Sequence, residues 1–353
     1  MNYKCTFIIF LLCTCFPVKS QQPDSALASE NTAKKLNSFG LFENEEILNI
    51  SLYFDLTTYL RKKPKEEYLK AEIIFNPGRI DSLRQKVRLR TRGVFRNSYC
   101  AFAPIELSFK NAKFGYSDLD SIQKLKLVTQ CSSGAMEEKY ILREYLAYKL
   151  YQVFTDTSFR VRLLKVTYFD TGKDRKPVNQ YGIFIEPLEM LTGRTGTVHI
   201  RNERLNQKHI IPPVMDRVAF FNYMIGNYDW SVPGQHNIRI LKISTNPYGF
   251  AVPYDFDWSG FVNATYADPA ENVGIQNIRE RVYTGVCRSN EAFSREIDLF
   301  TSKKFELYNV INNFSYLSIA DKKDLLTYLE GFFAELRGRD HFLYYLHTKC
   351  KNF

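Results

Sequence analysis

The most constraining feature of this chain is a short hairpin pattern with a metal-binding type of side chain at each end. Asn237 begins the alternating run Asn-Ile-Arg-Ile-Leu-Lys-Ile, and Asn246-Pro-Tyr-Gly249 has the composition of a turn. The run Phe-Ala-Val-Pro-Tyr then leads to Asp255. Because a hairpin brings its two ends together, we expect Asn237 and Asp255 to lie close enough to share one metal ion.

Asp229 precedes Asn237 by eight residues and completes an ordered set. Kinase-like phosphotransferases place one Asp beside the attacking hydroxyl, and an Asn and a second Asp hold Mg²⁺ on the nucleotide phosphates. Mg²⁺ prefers hard oxygen ligands and retains waters, so one or two carboxylates and an amide oxygen suffice. The alternative is that these residues are ordinary turn and cap residues. The order and the intervening hairpin together favour a nucleotide–metal site.

The N-terminus differs in character from the rest of the chain. An apolar run over residues 7–16 follows a lysine and precedes small residues typical of a signal-peptidase site. The run is too short for a membrane anchor, so we interpret residues 1–20 as a signal peptide and residues 21–44 as a flexible lead-in. Lipidation at Cys13 or Cys15 is the less favoured alternative. We therefore expect an exported chain, periplasmic or extracellular, without a transmembrane segment when mature.

Cysteine usage agrees with export. Seven cysteines become four when the signal is removed, and an even number in an exported chain is typical of disulfides. Three pairings are possible, and we favour Cys100 with Cys131 and Cys287 with Cys350, one in each half. The five histidines are scattered and no Cys-x-x-Cys occurs, which argues against a structural zinc site.

The net charge of +10 indicates a basic surface. Such a surface attracts phosphate ligands, anionic glycans, lipid head groups or nucleic acid. The sequence contains no signature of a nucleic-acid-binding module, so nucleic acid is not an expected partner.

Strand patterns dominate the first half of the chain and helical patterns the second. Alternating apolar residues predict strands over 48–56, 68–75, 85–92, 104–110, 124–128, 161–169 and 181–186. Apolar residues at helical spacing predict helices over 137–154 and 213–228 and a third over 321–347, broken near Gly338. The early strands are expected to form a mainly antiparallel sheet.

Strands, one helix and further strands follow each other in the order of a protein-kinase N-lobe. We therefore predict an α+β, two-lobed protein-kinase-like fold. Residues 45–186 would form a β-rich N-lobe with one main helix, and Glu186-Pro187 would open the connection to the second lobe. Residues 187–353 would form a mostly helical C-lobe that contains the site hairpin.

On these residues the chain resembles the CotH kinase-like family, over roughly residues 85 to 260. The segments that carry the resemblance are Leu89–Gly93, Leu125–Val128 with Leu142–Ala147, Tyr181–Glu186, and the set Asp229, Asn237 and Asp255. The resemblance implies an ATP-dependent phosphotransferase that uses Mg²⁺ (or Mn²⁺) and acts on an unidentified protein or glycan acceptor.

The resemblance also implies roles for individual residues. Asp229 would orient or deprotonate the acceptor hydroxyl. Asn237 and Asp255 would bind the metal, and Asp257 would assist there or brace the loop. The residues assigned to nucleotide binding are Arg92, Lys126, Glu144 and Glu186.

One stretch departs from the family pattern. Basic residues usually follow the Arg-Gly turn, but residues 99–105 contain no lysine. A phosphate-binding cation, if the chain has one, must come from elsewhere, and Lys126 and Arg92 are the candidates. Glu144 could pair with Lys126, as active kinases require. Lys126 could instead lie on the solvated face of its strand, and Glu144 could be an exposed helical residue. His236 is interpreted as a packing or turn residue.

Three functions follow from these patterns. The leading hypothesis is an exported phosphotransferase. A pseudokinase that serves as a binding or scaffold protein of the envelope is the second, favoured by the missing N-lobe lysine. The third is a calcium- or glycan-binding structural protein in which Asp255 and Asp257 hold a metal without a nucleotide.

Overall fold

Seven strands of the first half close into a barrel. We describe a computed structural model that covers residues 38–132, 134–201, 204–269 and 274–352. The predicted signal peptide and most of the predicted lead-in lie outside the described residues. The barrel strands are β1 (Leu48–Phe54), β2 (Leu69–Phe75), β3 (Leu83–Thr91), β4 (Ile105–Ser108), β5 (Lys124–Thr129), β6 (Val161–Asp170) and β7 (Val178–Ile185).

The barrel closes through one parallel pair of strands. The order is β1-β2-β3-β4-β5-β7-β6, and all neighbours are antiparallel except β1 and β6. Leu48 faces Leu164 at one end of that pair, and Phe54 faces Asp170 at the other. The antiparallel neighbours agree with the predicted sheet, whereas the closure was not predicted, because alternation within a strand does not identify its partner.

Alternation of side chains fills the barrel with apolar residues. In β3, Val87, Leu89 and Thr91 are buried, while Lys86 and Arg88 between them are exposed. The interior is narrow where β5, β6 and β7 meet. A Cβ at Gly182 would lie 2.9 Å from the Leu127 side chain and 3.1 Å from the carbonyl oxygen of Val128. A glycine is therefore required for this close approach.

Nine helices are found in the described chain. They are α1 (Leu56–Lys62), α2 (Phe95–Tyr99), α3 (Ser117–Asp120), α4 (Ala135–Gln152), α5 (Leu188–Thr195), α6 (Pro212–Ile225), α7 (Asn290–Asn312), α8 (Ile319–Arg337) and α9 (Arg339–Lys349). The central helix is α4, which packs against β6 and β7 on one side and α7 on the other. Burial on both sides explains why Tyr145, Leu146 and Tyr148 are all buried. From Phe39 onward the chain forms one compact unit.

Helix boundaries follow from local capping. The predicted helix over 213–228 ends at Ile225, because Gly226 adopts a left-handed conformation with φ of 61°. The predicted strand through Leu56 stops earlier, because the Asp55 side chain accepts the Thr58 N–H at 2.8 Å and begins α1. The predicted break near Gly338 is confirmed as the junction of α8 and α9.

The predicted site hairpin is confirmed. Its strands are β9 (Ile238–Lys242) and β10 (Phe250–Pro253), which pair antiparallel with Ile238 opposite Pro253. A third strand, β8 (Val198–Ile200), pairs with β9 and was not predicted, because its three residues are too few to show a pattern.

Both favoured disulfides are confirmed. Cys100, which ends α2, is bonded to Cys131 at the end of β5. Cys287 is bonded to Cys350 at the end of α9. No helix of the described chain is both long and apolar enough to cross a bilayer.

Removal of the second disulfide should lower stability. The bond between Cys287 and Cys350 closes a sequence separation of 63 residues, so it restricts the unfolded chain strongly. We expect the Cys287→Ala/Cys350→Ala variant to lose about 2–4 kcal/mol of unfolding free energy, measured by chemical denaturation without reductant. An unchanged midpoint and slope would show that the bond is absent or without effect.

Glu296 of α7 should make stability depend on pH. Burial raises its pKa to about 7, and Arg217, at 4.0 Å, only partly opposes this. Stability should therefore fall as pH rises from the unfolded value of 4.5 towards 7, because the folded state retains the proton longer. Glu296→Gln should be more stable than wild type at pH 8 by up to about 3 kcal/mol and equal to it below about pH 4.

Thermal or urea unfolding of the two proteins across this pH range measures the difference. A stability difference between Glu296→Gln and the wild type that does not change with pH would contradict the raised pKa of Glu296.

Candidate functional site

The loop after α6 fixes the backbone of Asp229. Gly226 ends the helix, and the Asn227 N–H donates to the Asn222 carbonyl at 2.8 Å. The Asn227 side chain donates to Asn222 Oδ1 at 2.8 Å and accepts the Asp229 N–H at 3.1 Å. Both asparagines are buried. This chain of hydrogen bonds aims Asp229 towards the hairpin.

The hairpin brings Asn237 and Asp255 to the same end of the sheet. The Tyr254 N–H donates to the Asn237 carbonyl at 3.0 Å. Because Tyr254 directly precedes Asp255, this hydrogen bond holds Asn237 and Asp255 at the same end of the hairpin. Both residues have positive φ, 49° for Asn237 and 65° for Asp255. Asn and Asp tolerate this left-handed conformation better than other non-glycine residues, and such strain is frequent at functional sites.

Both carboxylate oxygens of Asp229 are occupied. His236 Nε2 lies 2.7 Å from Oδ1, and Asn237 Nδ2 donates to Oδ2 at 2.8 Å. Burial raises the pKa of Asp229, and His236 opposes the shift. The same Nδ2 also donates to the Asp229 carbonyl at 2.8 Å, so both partners of the amide nitrogen are acceptors. The Oδ1 atom of Asn237 is thus left for a cation.

A buried guanidinium joins three parts of the fold beside these residues. Arg96 of α2 lies 4.0 Å from Glu144 of α4 and 4.0 Å from Asp257, and it donates to the Thr129 carbonyl of β5. Asp257 also accepts a hydrogen bond from Tyr266 at 3.1 Å. Burial, followed by the charge of a neighbouring aspartate, raises the pKa of Asp257 to about 7 and that of Glu144 well above its usual value. Both carboxyl groups therefore favour their protonated forms more than exposed carboxyl groups do.

Lys126 lies on the other side of the hairpin. Its Nζ is 5.4 Å from the centroid of the Tyr254 ring, and the Arg239 guanidinium is 4.4 Å from the same ring. Burial, then the charges of Arg92 and Arg239, lowers the pKa of Lys126 to about 8, while Asp255 opposes the shift. In the described structure Glu144 pairs with Arg96 and not with Lys126, which differs from the expected kinase pair.

Glu186 is held away from the other site residues. Its buried carboxylate binds Arg194 at 2.7 Å and accepts the Arg160 N–H at 3.0 Å. These contacts fix the start of the connection between β7 and α5.

A cavity of about 640 Å³ connects most of the site. Among the residues that line it are Arg92, Phe95, Arg96, Asp229, His236, Asn237, Asp255, Asp257 and Trp258. The structure thus brings together Arg92, Asp229, Asn237, Asp255 and Asp257 of the predicted set. Lys126, Glu144 and Glu186 lie outside this lining.

Sequence reasoning missed two residues of the lining. Arg96 carried no pattern, because its five-residue helix is too short to show helical periodicity; its position four residues before Cys100 was the available signal. His236 was interpreted as a packing or turn residue, although its adjacency to Asn237 placed it at the site. Its contact with Asp229 makes it part of the functional geometry.

The donor set suits a magnesium ion that is shared with phosphate oxygens. Within the described ranges, no three His, Cys, Asp or Glu side chains form a metal cluster by themselves. Asp255, Asp257 and the amide oxygen of Asn237 are all hard donors, and Mg²⁺ commonly completes its shell with water and substrate phosphates. The charge of Asp255 raises the pKa of Asp257, and a bound cation would relieve this repulsion. The residues therefore fit the ion.

Comparison with known proteins gives remote structural similarity and no family. No protein-family model matches the chain, and no curated protein matches it. Among solved structures it is similar to a kinase, the Helicobacter pylori proinflammatory kinase CtkA, with a TM-score of 0.39. The two share 13% identity, and the match covers 68% of this chain and 90% of that one. A likeness this distant carries no argument about function, and the CotH resemblance stays a sequence-based hypothesis.

Loss of the buried guanidinium should destabilise the protein. Arg96→Met leaves Glu144 and Asp257 without their cation, and we expect a loss of about 3–5 kcal/mol in unfolding free energy at pH 8. The loss should shrink at pH 5, where both carboxylates can be protonated.

Arg92→Met is the matched control. Arg92 lines the same cavity, but its side chain forms no ion pair with a described carboxylate, so its removal should change stability by less than about 0.5 kcal/mol. Equal losses for the two variants would show that the Arg96 cluster does not contribute specifically.

Proposed function

We propose that this protein is an exported phosphotransferase of the kinase-like type, which uses ATP and Mg²⁺ to phosphorylate a hydroxyl on a protein or surface glycan. The observation that supports the proposal is the cavity that unites Asp229, Asn237 and Asp255 in the order and geometry that such chemistry needs. We further propose that residues 45–186 act as an N-lobe and residues 187–353 as a C-lobe.

The metal ligands would be Asp255, Asp257 and Oδ1 of Asn237. A bound Mg²⁺ would neutralise charge on the nucleotide phosphates during transfer. Asn237 would serve both halves of the site, because its amide nitrogen donates to Asp229 and its oxygen would be a ligand of the cation. Hydrogen bonds from the Asp255 N–H to Tyr148 and from the Asn237 amide to Asp229 would keep these donors in place before any ligand binds.

Asp229 would position the acceptor hydroxyl and accept its proton as the phosphoryl group moves to the acceptor oxygen and ADP leaves. His236 and Asn237 hold the two carboxylate oxygens, so the group cannot rotate freely. The raised pKa of Asp229 suits proton acceptance, because a base is most effective when its pKa approaches the working pH.

Arg92 and Lys126 would contact the phosphates. Arg92 lines the cavity at the turn after β3, and Lys126 lies within electrostatic reach of Asp255. Arg96 lies beside Glu144 and Asp257, so its role would be to hold these two acidic side chains in position. Phe95 and Trp258, whose rings are 5.0 Å apart, form an aromatic rim where the rest of the acceptor could pack.

A binding protein without transferase activity is the second candidate. It is favoured by the pairing of Glu144 with Arg96, because active kinases pair this glutamate with the N-lobe lysine. Such a pseudokinase could bind a nucleotide and serve as a scaffold.

Thermal unfolding with ATP and Mg²⁺ tests the site directly. A ligand at about 100 times its Kd adds about 2.7 kcal/mol to stability, which raises the melting temperature by several degrees. We expect this shift in the wild type and its loss in Asp255→Asn. No shift with ATP and either Mg²⁺ or Mn²⁺ would refute the proposal, and stabilisation by Ca²⁺ without an effect of ATP would favour a structural metal site.

Asp229→Asn separates transfer from binding. The variant should keep the ATP-dependent shift, because Asp229 is not a proposed metal ligand, but lose about 10²–10⁴-fold in phosphoryl transfer from radiolabelled ATP. Binding without transfer in the wild type itself would support the pseudokinase.

A further inference from the structure

The Tyr254 ring lies between two cationic side chains. Lys126 approaches it from β5 of the barrel and Arg239 from β9 of the hairpin, at 5.4 Å and 4.4 Å from the ring centroid. Arg92 contributes a third positive charge, since it acts on both Lys126 and Tyr254. Attraction to the ring holds the two cations in place, but it does not neutralise them.

The hairpin sheet adds another cation on the same face. Ile200 of β8 pairs with Ile240 of β9, so the next position places Arg201 opposite Arg239. Like charges directly opposite each other in a sheet destabilise it. His199 is on this face as well, and its buried Nε2 has no hydrogen-bond partner in the described structure.

The charges of Asp255 and Glu106 act on Lys126, but no cation of this group forms an ion pair with a described carboxylate. Nearby arginines have ion-pair partners, as Arg90 does with Glu106 and Arg194 with Glu186. Among the described residues, no carboxylate forms an ion pair with Lys126, Arg201 or Arg239. Such a group of cations, of which Arg92 lines the cavity with the proposed metal site, is an arrangement that an anionic ligand would stabilise.

We propose that Arg92, Lys126, Arg201 and Arg239, arranged around Tyr254, form a binding subsite for a phosphate group. Arginine binds phosphate through two parallel hydrogen bonds, and lysine acts as a point charge. The roles of Arg92 and Lys126 in this subsite rest on the proposed function. Anion binding at Arg201 and Arg239 does not require phosphoryl transfer. The phosphate belongs either to the nucleotide or to a second, phosphorylated ligand.

Calorimetric titration of the full chain with inorganic pyrophosphate tests the subsite. The protein is freed of metal and dialysed against metal-free buffer beforehand, and the salt concentration is the same in every titration, so that metal does not contribute and screening is constant. We expect Arg239→Gln to weaken binding about tenfold, as loss of one charge-assisted contact implies, and Arg201→Gln to weaken it by a smaller factor. Arg201 is exposed, so its variant keeps the test valid if Arg239→Gln does not fold.

Lys242→Gln is the matched control. Lys242 lies on the same strand as Arg239, three residues further on, so its side chain points to the opposite face of the sheet. We expect unchanged pyrophosphate binding in this variant. Failure of the wild type to bind, or equal weakening in Lys242→Gln and Arg239→Gln, would overturn the proposal.

Competition with ATP and Mg²⁺ identifies the source of the phosphate. Displacement of pyrophosphate would assign the subsite to the nucleotide, and simultaneous binding would assign it to a second ligand. Asp255→Asn removes a negative charge that acts on Lys126, so it should bind pyrophosphate at least as tightly as the wild type while losing the ATP-dependent shift. Pyrophosphate binding in a wild type that does not respond to ATP would therefore refute the proposed function and retain the subsite.

Discussion

The buried guanidinium of Arg96 is the interaction on which the site depends. It contacts the carbonyl of Thr129 in the barrel, Glu144 on the central helix and Asp257 after the hairpin. Two buried carboxyl groups would otherwise face each other in a region with little solvent. Because these groups come from different elements, their common cation sets how the barrel wall, α4 and the hairpin loop meet. The disulfide at Cys100 fixes the short helix that carries Arg96.

The hairpin depends on this arrangement for its own geometry. Asn237 and Asp255 adopt left-handed backbone conformations, which cost free energy unless neighbouring contacts compensate. The compensation is visible: the Asp255 N–H donates to the buried Tyr148 hydroxyl at 2.8 Å, and the Asn237 amide donates twice to Asp229. Contacts within the protein therefore orient these polar groups at the cavity.

Much of this architecture could be predicted from the sequence, and there are physical reasons why the rest could not. Alternation predicted the hairpin, and residue spacing predicted that Asn237 and Asp255 would meet. Cysteine positions predicted both disulfides. The role of Arg96 could not be predicted, because its partners are distant in sequence and its five-residue helix is too short to show a pattern. The partner of Glu144 was misjudged for the same reason, since a charged residue on a helix does not reveal what packs over it. The parallel pairing of β1 with β6 could not be predicted, because alternation within a strand does not identify its partner.

That parallel closure has a consequence for how the chain folds. β1 completes its pairing only with β6, which lies more than 100 residues further along the chain. Until β6 is available, one edge of β1 exposes unpaired backbone groups, and such edges promote association between chains. Contacts between distant segments also slow folding, because loop closure must come first. Assembly of the barrel should therefore be late and slow, and a growing chain would need protection of its first strand until the sixth has emerged.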